Sequence, residues 1–226
     1  MKGRFAMSEF KVIEIKRSVF DNNDKEADKV REQLKKDKTF LLNLMSSPGS
    51  GKTTTLKATI KALKDEYKMG VMEADIDSDV DAKAIEEAGA KSIQLHTGGM
   101  CHLDAGMTKQ GLDSFDASDF EFVVLENVGN LVCPAEFDTG ASKNAMILSV
   151  PEGDDKPLKY PLMFSICDCV LIDAKSVFDF DDEAVVERIK KLNPKAEIFF
   201  VSAKTGEGMD KWFDWLRGQI NAWNNN

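Results

Sequence analysis

The string Ser46-Ser47-Pro48-Gly49-Ser50-Gly51-Lys52-Thr53-Thr54 carries the residue types that grip a triphosphate. Glycines at 49 and 51 let successive backbone N–H groups turn toward one anion, and a helix opening near Lys52 adds its partial positive charge. Lys52 is spaced to reach the β- and γ-phosphates and the Thr53 hydroxyl to ligate Mg²⁺, while Pro48, Ser50 and Thr54 complete the nucleotide-binding loop. Ser46 holds the first position of the usual G-x-x-x-x-G-K-T pattern, where glycine normally stands. The plainer alternative is a glycine-rich strand-to-helix connection; the Gly-Lys-Thr order between a strand and a helix favours phosphate.

Two carboxylates extend this to phosphoryl transfer. Asp75 closes the strand pattern 69–74, where open α/β sheets place their ligands, and is a candidate for holding Mg²⁺ directly or through water. The lesser alternative is that Asp75, Asp77 and Asp79 form an acidic turn capping a helix that starts near Asp81. Glu126 follows the strand pattern 120–125, placed for Mg²⁺ or the attacking water, and Gly129 offers an N–H able to sense a γ-phosphate. Lys52, Asp75 and Glu126 form the candidate catalytic set, with Thr53, Asp75 and Glu126 around magnesium.

A second chemistry lies in the soft donors. Cys101 and His102 are adjacent, after Gly98-Gly99 and before a helical pattern, so a thiolate and an imidazole project from a loop at a helix N-terminus. Such a position lowers a thiol pKa and favours metal, although a buried thiol beside a turn histidine reads the same way. Cys133, ahead of Pro134 in the loop after Glu126, is the third candidate ligand of a nickel or zinc ion. Three donors per chain leave a position for water or for a second subunit, which points to a dimeric site. Cys167 and Cys169, flanking Asp168, read as structural residues pointing one way from a strand.

Positioning these groups requires a sheet. Strand patterns at 40–45, 69–74, 91–95, 120–125, 144–150, 169–172 and 197–201 alternate with helical ones, among them 182–192 and 211–223. The expectation is an α/β P-loop NTPase, with a mostly parallel central sheet, right-handed crossovers and helices on both faces. Trp212, Trp215, Leu216 and Ile220 form a core-facing stripe on the last helix. Residues 10–20 suggest a short edge strand or extended arm, and 24–36 an amphipathic helix with Ala27, Val30 and Leu34 on one side. The chain thus divides into an arm and helix, 1–37, and a nucleotide-binding domain with metal-binding loops, 38–226.

A net charge of -9 over 226 residues argues against a nucleic-acid backbone as partner, since phosphate neutralisation needs clustered Lys and Arg. No apolar run approaches the roughly 20 residues that span a bilayer, and the opening residues lack an apolar signal core, so no membrane partner and a cytoplasmic location are expected. Four cysteines are too few for a disulfide framework in a chain of this size.

Three longer strings carry a family resemblance: 97–105 (Thr-Gly-Gly-Met-Cys-His-Leu-Asp-Ala), 126–134 (Glu-Asn-Val-Gly-Asn-Leu-Val-Cys-Pro) and 152–161 (Glu-Gly-Asp-Asp-Lys-Pro-Leu-Lys-Tyr-Pro). With the phosphate loop, they make the chain resemble the hydrogenase nickel-incorporation GTPases, the HypB-type proteins, relatives of the urease nickel-delivery GTPases. The resemblance implies a SIMIBI-like P-loop GTPase that uses GTP and Mg²⁺ and dimerises with nucleotide. It further implies nickel or zinc on Cys101, His102 and Cys133 near the subunit interface, delivered to a nickel-enzyme precursor, with a second maturation chaperone as partner. Three departures accompany it. The chain has neither the N-terminal cysteine motif nor the histidine-rich nickel store of many members, and Gly106 stands where some carry a further histidine. The guanine-reading Asn-Lys-x-Asp string is replaced by Asp173-Ala174-Lys175-Ser176, with Lys175 or Asp179 as substitutes, whereas Ser202-Ala203-Lys204 matches the second base-contacting motif. An ATPase or promiscuous NTPase serving nickel delivery, and a metal carrier with vestigial hydrolysis, are the alternative readings.

Overall fold

The computed structural model describes the backbone of residues 6–74, 79–173 and 180–225, and the side chains of these apart from 6–21, 79–83 and 115. A long helix, α1 (Ala6–Asp37), leads into strand β1 (Phe40–Ser46) and helix α2 (Lys52–Leu63). The chain continues through β2 (Met69–Glu73), α3 (Asp79–Ala88), β3 (Lys91–Gln94), α4 (Ala105–Phe115) and β4 (Phe122–Glu126). A one-turn helix, α5 (Cys133–Glu136), precedes β5 (Lys143–Ser149), and two more short helices, α6 (Lys156–Lys159) and α7 (Pro161–Ile166), lie within or just after the polar connection 152–161. The last elements are β6 (Cys169–Asp173), α8 (Asp182–Leu192), β7 (Glu197–Val201) and α9 (Met209–Asn224).

Among the described residues the seven strands form one sheet in the order β3-β2-β4-β1-β5-β6-β7, and every pairing is parallel. An all-parallel sheet must be covered on both faces, which is why its central strands are mainly apolar. Alternate side chains serve the two layers. In β1, Phe40, Leu42 and Leu44 pack under α2, α3 and α9 with Leu56, Ile60, Ile85, Trp212 and Leu216. Leu41 joins Val30, Leu34 and Leu112 beneath α1 and α4, while Met45 joins Phe164, Val185 and Ile189 beneath α7 and α8. The Trp212 indole, buried in the first layer, donates to Thr59 Oγ1 at 3.0 Å and so ties α9 to α2.

Two expectations are corrected. Residues 10–20 are neither an edge strand nor an extended arm; they lie within α1, continuous with the amphipathic stretch whose Ala27, Val30 and Leu34 are buried. Their mixed apolar and charged pattern has a helical as well as an alternating reading, and the helix satisfies its backbone hydrogen bonds internally. Cys167 and Cys169 are both buried, as structural residues should be, but they do not point one way. Cys167 precedes β6 and packs in the α7 and α8 layer, whereas Cys169 opens β6 and faces the α2 and α9 layer. Among the described residues no helix is long and apolar enough to cross a membrane.

Candidate nucleotide and metal site

The phosphate loop joins the end of β1 to the start of α2, at the carboxyl edge of the sheet. Gly51 is the N-cap of α2 with φ 93°, and no side chain caps the helix there. A helix N-terminus without a side-chain cap is an arrangement that binds anions. A Cβ at Gly51 would also lie 2.9 Å from Asp173 Oδ2, so both conformation and space demand glycine. Ser50 and Lys52 are buried, Thr53 is half-buried, and Pro48, Gly49 and Thr54 are exposed. Ser46 fits without strain. It is the last residue of β1, fully buried, with its hydroxyl donating to the Ser47 carbonyl at 2.8 Å.

Glu126 ends β4, buried, in register with Leu44 of β1 on one side and Glu73 of β2 on the other. Its carboxyl edge is therefore shared with the phosphate loop, as the strand pattern required. Asp75 lies outside the described residues, as does Lys175 with Asp179. The turn after Glu126 is pinned by an amide chain that sequence reading missed. Asn127 Nδ2 donates to Asn43 Oδ1 at 3.0 Å, and Asn43 Nδ2 donates to Asn144 Oδ1 at 3.0 Å, linking the turn after β4 to β1 and β5. Asn127 Oδ1 accepts the Val128 N–H at 2.9 Å, fixing the direction in which the loop leaves. Gly129 then rests on the phosphate loop: a Cβ there would stand 3.2 Å from Pro48 Cα.

On the opposite flank, Asp173 ends β6 and its Oδ1 accepts the Ala203 N–H at 3.4 Å. That contact, together with the close approach to Gly51, places Asp173 between the phosphate loop and the Ser202-Ala203-Lys204 segment after β7. Ser202 and Ala203 are half-buried and Lys204 is exposed.

The soft donors come together. One donor atom from each of Cys101, His102 and Cys133 lies within 4.8 Å of the others. The sulfurs of Cys101 and Cys133 are 2.7 Å apart, with Cys101 Sγ 3.8 Å from His102 Nδ1 and Cys133 Sγ 3.8 Å from Asn130 Nδ2. The Cys133 thiol is pushed up from its ordinary value, first by its hydrogen bond with Cys101 and then by burial. Burial lowers the His102 pKa against the opposing pull of Asp104 and Glu136, which favours the neutral imidazole that ligates metals. Its ring stacks on Phe137, with centroids 3.9 Å apart and planes 12° from parallel. Phe137 follows α5, the turn that begins with Cys133, so one short segment carries both one soft donor and the platform under another.

A cleft of about 480 Å³ lies beside Cys101; its walls include Ala74, His96, Met100, Cys101, Gly129 and Asn130. Gly129 thus touches the phosphate loop on one side and borders the Cys101 cleft on the other, four residues ahead of Cys133. Asn43, Asn127, Asn130 and Phe137 emerged only from the fold. Asn127 and Asn130 stand inside the string 126–134, and that context was their one available signal; Asn43 and Phe137 had none.

Residues 40–200 match the family model described as CobW/HypB/UreG, nucleotide-binding domain. The hydrogenase maturation factor HypB of Escherichia coli (strain K12) is 42% identical over 216 residues, which is 94% of this chain and 74% of that protein. HypB from Archaeoglobus fulgidus has a solved structure similar to this one with a TM-score of 0.83 and 37% identity, covering 88% of this chain and 99% of that one. HypB from Helicobacter pylori, solved in complex with nickel, gives 0.82 and 39%, covering 89% of this chain and 96% of that one. With its phosphate loop, all-parallel sheet and clustered soft donors, the chain belongs to the CobW/HypB/UreG family, in its HypB branch, and is a P-loop nucleoside triphosphatase.

Proposed function

We propose that this chain is a GTP-switched nickel chaperone that loads a nickel-iron hydrogenase precursor. The observation that carries this reading is the position of Gly129, which abuts Pro48 of the phosphate loop and lines the cleft of Cys101. Lys52 and the α2 amides hold the phosphates, and Thr53, Asp75 and Glu126 serve Mg²⁺ and the attacking water. Cys101, His102 and Cys133 hold nickel as cargo, with zinc as the competing ion of the same donor set. Three ligands leave the coordination sphere incomplete, so water or the partner of a nucleotide-dependent homodimer fills it. Residues 38–226 act as the nucleotide-binding domain, and 1–37 as a helical addition to it. A second maturation chaperone supplies or receives the metal.

Loss of the γ-phosphate frees the loop at Gly129, displaces Cys133 and loosens the metal, which links hydrolysis to release. Nickel affinity with a non-hydrolysable GTP analogue and Mg²⁺ should differ from that with GDP by about tenfold, a coupling of ~1.4 kcal/mol. Equal affinities would remove the switch. The string at the end of β6, Asp173-Ala174-Lys175-Ser176, supports a second reading in which ATP serves as well. A site that has lost a hydrogen-bonding partner for one base discriminates less. Repeating the titration with an ATP analogue decides it, because an intact guanine site leaves that analogue without effect at matched concentration.

A further inference from the structure

Helix α1 reaches the metal cluster without contributing a ligand. Asn23, half-buried on that helix, accepts the Ala105 N–H on Oδ1 at 2.9 Å and donates Nδ2 to the Asp138 carbonyl at 2.9 Å. The partners fix the amide orientation, since a backbone N–H only donates and a carbonyl only accepts. Ala105 opens α4 three residues after His102, and Asp138 follows Phe137 directly, five residues after Cys133. One side-chain amide therefore spans the two segments that carry the soft donors.

Arg31, two turns further along α1, secures the second segment. Its Nη1 and Nη2 donate to the two Asp138 carboxylate oxygens at 2.9 and 2.8 Å, and Oδ1 also accepts the Gly140 N–H at 2.8 Å. Buried Ala27 and Val30 lie between Asn23 and Arg31, holding this stretch of the helix against the domain. The strap thus sits on a packed support, and both its ends are main-chain groups whose positions no rotamer change can alter.

We propose that Asn23 is a positioning residue of the metal site, setting the separation between the Cys101-His102 loop and the Cys133-Phe137 segment. This deepens the nickel reading and rests on it. Groups one shell out from a metal orient its ligands, and their loss typically lowers metal affinity by about 10- to 100-fold. Removing the amide frees Ala105 N–H and Asp138 C=O to water, lets the two segments part, and takes the imidazole away from the sulfurs. The phosphate loop, on the other side of Gly129, has no share in the strap.

The test uses the full chain with Ni²⁺ in competition against a chromophoric chelator, for the parent, Asn23→Ala, Asn23→Asp, the exposed-neighbour control Asn22→Ala, and His102→Ala. Asn23→Ala should bind nickel about tenfold more weakly, with its thiolate-to-nickel absorption moved to that of His102→Ala, and with GTP affinity unchanged. Asn23→Asp keeps the acceptor for Ala105 and loses the donor to Asp138, so it should fall between parent and Asn23→Ala; Asn22→Ala should match the parent. An Asn23→Ala chain equal to the parent in affinity and spectrum overturns the strap alone. Parallel loss of nickel and GTP binding in both Asn23 variants also overturns it, because the residue would then be supporting the fold at large. A parent chain that binds no nickel overturns the reading on which the strap rests.

Discussion

His102 depends on a neighbour that donates nothing. The parallel stack on Phe137 holds the imidazole plane, and the apolar area the two rings cover contributes about 1 kcal/mol. Phe137→Leu should therefore weaken nickel binding about fivefold, read by chelator competition, while Phe137→Tyr keeps the stack and the affinity. A result in which both variants bind like the parent would show that the ring is held by something else. At this scale the sequence was clear where a function is local. The phosphate loop is one contiguous string, and its Ser46 departure is the buried last residue of the strand. Phe137 was invisible, since its role depends on where α5 points, and no spacing rule connects it to a residue 35 positions earlier.

Among the elements, α1 shows how a helix end can be improved. Lys38 follows it with φ 56°, the left-handed conformation, while the Thr39 N–H donates to the Leu34 carbonyl at 2.9 Å and the Lys38 N–H to that of Lys35 at 3.3 Å. This is the hydrogen-bond pair of a glycine-type helix stop, formed with a lysine in the strained place. The Lys38 side chain is exposed, so Lys38→Gly removes strain and little packing. The unfolded chain gains entropy from the new glycine, and the net expectation is a stabilisation of about 0.5 kcal/mol, seen as a higher denaturant midpoint at unchanged slope. A lower midpoint would mean that the lysine makes a contact worth more than the strain. The strands were legible because a sheet covered on both faces needs long apolar runs, and those runs are hard to mistake. The start of α1 was not, because residues 10–20 interleave charge with apolar groups at a spacing that serves two periodicities.

For the whole molecule, the sheet order explains why residues from distant parts of the chain act together. Parallel strands deliver their carboxyl ends to one edge, so β1, β2, β4 and β6 bring the phosphate loop, Glu73, Glu126 and Asp173 to one side without any long excursion. Convergence of the soft donors was legible only as a requirement, since Cys101 and Cys133 had to meet if either was to bind metal. The structure supplies that meeting and adds its supports in α1 and α5. The three-asparagine chain across β1, β5 and the turn after β4 has a matching role in the sheet, because a slip of one residue would bury these amides without partners.

The opposite fates of the four cysteines also give the protein a built-in readout. Cys167 and Cys169 are sealed in the core, where burial drives both thiols far above their ordinary value, and such sulfurs do not react with water-borne electrophiles. Cys101 is exposed and Cys133 half-exposed, which makes an alkylating reagent applied to the folded chain a selective probe of that pair. The mass added by such a reagent, counted intact by spectrometry, then reports occupancy of the cluster in any nucleotide state, with no label engineered into the molecule.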